Sequence, residues 1–375
     1  MKKLKLITCV GTRPELIKLS RCISNFDKHF DHILVHTGQN FSKELNDIFF
    51  SDLKIRKPNY FLNTASKTPS LSISKIISGI EDILTKEKPD SFLILGDTNS
   101  CFSALVAKKH KIPIFHLEAG NRCFDERVPE EVNRRIIDHF SDLNIVYSDI
   151  ARTNLLNEGL EIDKIIKLGS PMLEVIKYQK KKVSNSKILN KLGLKKDKFF
   201  LMSLHREENL DNTKNFNSLL NSINSIIEKY KLPIIFSTHP RTKNKLRKYK
   251  ISSNKLIFCE AFNFTDYLKL QLNAKAILTD SGTINEEASI LNLKALNLRE
   301  AFERQEAMDE ASVMLVGNDV NTILKGIEIL NNKDFKRKRF NKMTSDYDVQ
   351  YFSEKMVRVI LSYTDFINKK IWKKI

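Results

Sequence analysis

The chain has 375 residues, 41% hydrophobic and 29% charged, with a net charge of +18. That length exceeds what one small core needs and points to two domains; no apolar run approaches the length of a membrane span. The charge raises nucleic acid as a partner, but the basic residues lie scattered or in local clusters such as "KYQKKK" (177–182), "RTKNKLRKYK" (241–250) and "NKKIWKKI" (368–375), with no RNP-like, zinc-finger or helix-turn-helix signature. A solvated lysine-rich surface accounts for them, and no nucleic-acid partner is expected. The opening "MKKLKLITCVGTRPE" reads as a first strand and not as a signal peptide. Cys9, Cys22, Cys101, Cys123 and Cys259 are scattered with no CxxC spacing, which suits reduced thiols in the cytoplasm better than disulfides or zinc.

Short β-branched runs alternate with helical stretches. "LKLITCV" (4–10), "HILVH" (32–36), "SFLILG" (91–96), "PIFHLE" (113–118) and "LNIVYS" (143–148) predict buried strands, with helices at about 14–25, 40–50, 98–110, 129–140 and 149–158. The Gly and Pro of "KLGSPMLEVI" (167–176), before a lysine-rich stretch, set a domain boundary after residue 170. A second series follows: "FFLMSLH" (199–205), "LPIIFSTH" (232–239), "KLIFCE" (255–260), "AKAILTD" (274–280) and "LKALNL" (293–298). The fold class is therefore α/β: two doubly wound Rossmann-like domains, 1–170 and 171–352, facing a central cleft, with a C-terminal helix at about 353–375 packing back on the first.

In such sheets ligands bind beyond the carboxyl ends of the strands. The unusual residues fall there: "GTRPE", "GDTNS" and "EAGNR" in the first half, "HREEN", "HPRT" and "DSGTINEE" in the second. "VGTRPELIK" lacks the G-x-G-x-x-G of dinucleotide binding, so NAD is not expected. Thr12 and Glu15 have capping-box spacing with Pro14 in the first turn, whereas Arg13 and Lys18 place cations near a helix start suited to anions. In "LTDSGTINEEA", Ser281 is the expected N-cap; the amides of Gly282 and Thr283 then form an anion site, and Glu286 or Glu287 can reach ribose hydroxyls or simply face solvent. His205 and His239 end strands and suit phosphate. His116 and Glu118 alternate on one strand but lack a third ligand at fitting spacing, so no metal is expected.

The densest charge lies in "HLEAGNRCFDERVPEEVNRR" (116–135). Salt-bridge lacing through Glu130/Arg134 and Glu131/Arg135 explains part of it. Asp97, Glu118 and Glu130 around one cleft would also make a proton-transfer centre.

The ordered set "GTRPELIK", "GDTNS", "HLEAGNR", "PEEVNRR", "HREEN", "DSGTINEEA" and "ERQEA" resembles the motifs of the non-hydrolysing UDP-N-acetylglucosamine 2-epimerases through nearly the whole chain. The resemblance implies a glycosyltransferase-B-like fold and a metal-free, NAD-independent C2-epimerase of a UDP-activated 2-acetamido sugar, working without a cofactor as a homodimer. By motif it implies Arg13, His205, Ser281, Gly282, Thr283, Glu287 and Arg304 as the UDP-binding set, and Lys18, Asp97, Glu118, Glu130 and Arg134 as the catalytic set. Thr283 stands where the family usually has a second Gly, and Gln305 follows Arg304 where Pro is usual. "HTGQN", "GNRCFDERVPEEVNRR" and "EAMDEASVML" are most similar to the branch forming UDP-N-acetyl-L-fucosamine from its L-talo epimer. A glycosyltransferase of similar fold and a nucleic-acid-binding protein are the alternative readings.

Overall fold

The structure, a computed structural model, describes residues 3–39, 49–204, 213–237, 254–299, 301–332 and 342–374. It divides into two units, Met1–Tyr178 with Ser345–Ile375, and Gln179–Thr344.

The first unit holds a seven-stranded sheet in the order β3-β2-β1-β4-β5-β6-β7. Its strands are β1 (Lys5–Val10), β2 (Asp31–His36), β3 (Tyr60–Phe61), β4 (Ser91–Leu95), β5 (Ile114–Ala119), β6 (Leu143–Val146) and β7 (Ile165–Lys167), and every pairing is parallel. Leu6, Ile7, Thr8, Cys9 and Val10 are all buried, the mark of a central parallel strand covered on both faces. The chain order reverses between β1 and β4, which makes this the switch point at which sheets of this kind bind their ligands.

The second unit repeats the plan with six strands in the order β10-β9-β8-β11-β12-β13: β8 (Phe200–Ser203), β9 (Ile234–Ser237), β10 (Leu256–Cys259), β11 (Ala276–Thr279), β12 (Ala295–Asn297) and β13 (Met314–Leu315). Phe200 and Met202 join one apolar cluster while Phe199 and Leu201 join another, so alternate residues of one strand feed cores on opposite faces. Each such buried side chain contributes about 2 kcal/mol by removal from water. The switch point lies between β8 and β11.

The expected strands all form. Three further strands, β3, β7 and β13, lie at sheet edges and are only two or three residues long. Helix Pro69–Glu87 is also additional; Thr68 caps it by accepting from Leu71 N, and Ile76, Ile80, Ile83 and Leu84 make its buried face. The expected helix at 40–50 lies largely outside the described residues.

The unit boundary falls inside helix Met172–Asn185, beyond the expected position at 170, and the return to the first unit begins before 353. The reason is local bonding. Glu174 accepts from Ser353 N at 2.8 Å and Ser353 Oγ at 2.5 Å, and Ser170 N donates to Asp346 O at 2.9 Å. Helix Phe352–Lys370 then packs on helix Arg13–His29, where Asn25 Nδ2 donates to Ser353 Oγ at 2.7 Å. Among the described residues no helix is long and apolar enough to cross a membrane.

Candidate active site

In the first unit, β5 breaks its pleat at Glu118. Leu117 pairs with Ile145 but Ala119 with Val146, leaving Glu118 as the extra residue of a bulge, with φ +73°. A left-handed backbone costs a residue with a Cβ roughly 1–2 kcal/mol, and bulges serve to re-aim side chains. Glu118 thereby leaves the alternation it would share with His116 and forms an ion pair with Lys18 Nζ. Lys18 is 3% exposed, and its ammonium sits 5.5 Å from the centre of the Tyr147 ring. His116 instead donates from Nε2 to Gly96 O at 3.0 Å, and its Nδ1 lies 3.0 Å from Asp138 Oδ1. Among the described residues no group of acidic, His or Cys side chains has a metal-site arrangement.

Asp97 follows β4. Arg134, on helix Pro129–Phe140, reaches its Oδ2 through Nε at 2.8 Å and Nη2 at 2.7 Å, and Asn133 Nδ2 donates to Asp97 O at 2.9 Å. Arg134 pairs with Glu131 at 3.0 Å, so the expected Glu130/Arg134 bridge does not form, while Glu131 and Arg135 do approach to 3.5 Å. The Glu130 side chain has no hydrogen bond or ion pair among the described residues and is partly exposed.

The other charges of 116–135 build scaffold. Arg122 is fully buried and binds Glu158 through Nε at 2.7 Å and Asp138 through Nη1 at 2.7 Å. Glu131, also fully buried, accepts from the backbone of Cys123 at 3.0 Å and Phe124 at 3.2 Å, holding the loop before its own helix. Asp125 and exposed Arg127 pair at 2.7 Å on the surface.

Near β1, Arg13 lies with its guanidinium 5.5 Å from the Phe49 ring centre and has no carboxylate partner among the described residues. Burial lowers its pKa. Thr12 stands at the N-cap but does not cap with its side chain; its hydroxyl donates to Glu15, which bonds Gly11 N at 2.6 Å. The capping box is thus displaced by one residue.

In the second unit, the turn after β11 carries Ser281, Gly282 and Thr283. The N-cap of helix Ile284–Leu291 is Thr283, which makes no side-chain cap bond, and not Ser281 as expected, because the helix starts only at Ile284; Ser281 N bonds back to Thr279 Oγ1 at 3.1 Å. The Ser281 and Thr283 hydroxyls meet at 3.1 Å. Glu287 is buried and accepts from Gln271 Nε2 at 2.6 Å. Arg304, also buried, lies between Glu286 at 3.6 Å and Glu306 at 3.7 Å. Beside Gly282 stands a buried pair, Arg299 with Glu303, joined by two bonds of 2.6 and 2.7 Å. Sequence reasoning missed that pair, although its i,i+4 spacing was a usable signal. His205 and His239 lie outside the described residues.

Residues 24–361 match the family model described as UDP-N-acetylglucosamine 2-epimerase. The chain belongs to this family. It is 40% identical over 341 residues to the UDP-N-acetylglucosamine 2-epimerase of Methanocaldococcus jannaschii, covering 88% of this chain and 93% of that protein. A solved structure of UDP-N-acetylglucosamine 2-epimerase from Rickettsia bellii superposes with a TM-score of 0.92 at 50% identity, over 99% of this chain and 100% of that one. The Methanocaldococcus jannaschii enzyme in complex with UDP-GlcNAc and UDP gives a TM-score of 0.88 at 38% identity, over 96% of this chain and 100% of that one.

Within this epimerase-family chain, the first unit brings together Lys18 with Glu118 and Asp97 with Arg134 at the carboxyl ends of its strands. The second unit gathers Ser281, Gly282 and Thr283 at its own switch point.

Proposed function

We propose that this chain is a non-hydrolysing C2-epimerase of a UDP-activated 2-acetamido sugar. The observation that carries the reading is the pair of acid–base couples, Lys18–Glu118 and Asp97–Arg134, at strand ends of a chain related over nearly its full length to UDP-N-acetylglucosamine 2-epimerases.

The chemistry asks for such groups. The C2 proton of a 2-acetamido pyranose is not α to a ring carbonyl, so direct deprotonation is prohibitive. If UDP leaves first, positive charge develops at C1 and the C2–H bond becomes acidic. A base takes the C2 proton while the C1–O bond breaks and its electron pair departs with UDP, leaving a 2-acetamidoglycal. A proton then adds to C2 from the opposite face as a UDP oxygen re-forms the bond at C1. Cations and backbone amides stabilise the departing diphosphate. In this reading Arg13, His205, the Ser281–Gly282–Thr283 turn and Arg304 hold UDP and Glu287 the ribose. Asp97, Glu118 and Glu130 handle protons beside Lys18 and Arg134. A homodimer belongs to the same reading.

The named relatives support UDP-N-acetylglucosamine and its manno epimer as substrates. A second pair, UDP-2-acetamido-2,6-dideoxy-L-talose and UDP-N-acetyl-L-fucosamine, is favoured by "HTGQN", "GNRCFDERVPEEVNRR" and "EAMDEASVML". NMR of products from a panel of UDP-2-acetamido sugars decides between them. Release of UDP and free sugar, or transfer to an added acceptor, in place of epimerisation would defeat the whole reading.

A further inference from the structure

The loops after β1 and β4 meet at the switch point of the first sheet, and one carboxylate stitches them together. Glu15, 2% exposed, accepts from Gly11 N at 2.6 Å and Thr12 Oγ1 at 2.8 Å on the first loop, and from Thr98 Oγ1 at 2.7 Å and Ser100 Oγ at 3.1 Å on the second. The loop after β2 joins through Gln39 Nε2, which donates to Thr98 Oγ1 at 3.1 Å. Packing there is tight: a Cβ on Gly11 would stand 2.7 Å from Gln39 Nε2, 2.7 Å from Thr37 Oγ1 and 2.9 Å from Ser100 Cβ.

A helix cap does not require this arrangement. Exposed capping carboxylates serve at little cost, whereas Glu15 is buried with no ion-pair partner among the described residues. Burying a carboxylate against neutral donors alone is expensive. Its neighbours include the thiols of Cys9 and Cys101, both held protonated by burial and in part by its charge. What the arrangement secures is the relative position of Arg13, adjacent to Thr12, and Asp97, adjacent to Thr98.

We propose that Glu15 is a positioning residue that holds Asp97 through Thr98 and Arg13 through Gly11 and Thr12, without itself touching substrate. The inference rests on the epimerase reading for Asp97 and on UDP binding for Arg13. Misplacing a reacting group by a fraction of an ångström is enough to slow turnover strongly.

The test compares Glu15→Gln, Thr98→Val and Thr98→Ser with the wild type for UDP affinity by calorimetry, for kcat and KM, and for melting temperature. Glu15→Gln keeps the volume and an acceptor for Gly11 N–H; it should weaken UDP binding and lower kcat, each by about 10-fold. Thr98→Val should reproduce the kcat loss with UDP affinity within about three-fold of wild type, and Thr98→Ser, which keeps the hydroxyl, should recover most of it. Lower melting temperatures with wild-type UDP affinity and kcat in both Glu15→Gln and Thr98→Val would overturn the proposal. If Glu15→Gln does not fold, Thr98→Val alone decides, and wild-type kcat there overturns it. If the wild type does not epimerise any UDP-sugar, the functional reading fails separately. The UDP affinity of Glu15→Gln then decides through Arg13, and a wild-type value overturns the proposal.

Discussion

Arg134 grips a single oxygen of Asp97, with Nε at 2.8 Å and Nη2 at 2.7 Å from the same Oδ2. A lysine offers one point charge and cannot reproduce this fork. Arg134→Lys should therefore lower kcat by about 10²-fold while UDP affinity stays within about three-fold. Steady-state kinetics and calorimetry on the same preparation check this; equal losses in both would show that Arg134 serves nucleotide binding instead.

If UDP departs first, product formed in D2O should carry deuterium at C2. Glu118→Gln preserves size but removes the ionisable partner of Lys18, and should cut turnover by about 10²-fold or more. NMR detection at C2 is the measurement. Retention of the original C2 hydrogen in epimerised product would exclude exchange with solvent.

Arg304 is buried between Glu286 and Glu306. Arg304→Ala should weaken UDP binding and also lower the melting temperature, since it strips a cation from buried carboxylates. Arg304→Lys keeps the charge and should regain stability more fully than affinity. Glu118→Gln should leave UDP affinity largely intact; a loss matching that of Arg304→Ala would undo the assignment of the two residues to different tasks.

Burial pushes the Glu15 carboxyl from 4.5 up to about 7, against the hydrogen bonds from Thr98, Gly11, Thr12 and Ser100 that pull it down. The folded state thus holds the proton more tightly than the unfolded chain. The stabilisation is complete below the unfolded value and is lost as pH rises through about 7, about 3 kcal/mol in all. Glu15→Gln lacks this titration, so the stability advantage of wild type over the variant should shrink between about pH 5 and pH 8. Chemical denaturation at several pH values tests it, and a constant difference would refute the linkage.

Gly120 adopts φ +79°, and a Cβ there would stand 2.3 Å from Ala151 O. Its N–H faces Asp138 at 3.2 Å, just after the bulge that aims Glu118. Gly120→Ala should destabilise the protein by about 3 kcal/mol, combining backbone strain with collision against a carbonyl that cannot move freely. A denaturation midpoint unchanged from wild type would count against the rigidity assigned to this corner.

The strands of both sheets were legible because central parallel strands are buried on both faces and read as continuous apolar runs, as in "LITCV" and "FLILG". β3, β7 and β13 were not, since an edge strand of two or three residues takes its identity from the neighbour it pairs with. Helix Pro69–Glu87 did carry a signal, Thr68 before Pro69 and isoleucines at helical spacing, but its serine-rich first turn obscured the pattern.

The sequence by itself determined the α/β plan and located the polar loops at strand ends, because periodicity and turn residues act over a few neighbouring positions. It also made 116–135 the densest concentration of charge. Which partner each of those charges takes was set only by tertiary structure. Arg122 became scaffold because Asp138 and Glu158, distant in sequence, arrive beside it. Glu118 became the partner of Lys18 because a bulge against β6 turns its backbone left-handed and breaks the strand's alternation. Glu15, spaced like a helix cap, became a bridge between loops because β1 and β4 are neighbours in the sheet while lying far apart in the chain. A charged side chain is defined by its partner, and long-range partners exist only once the chain has folded.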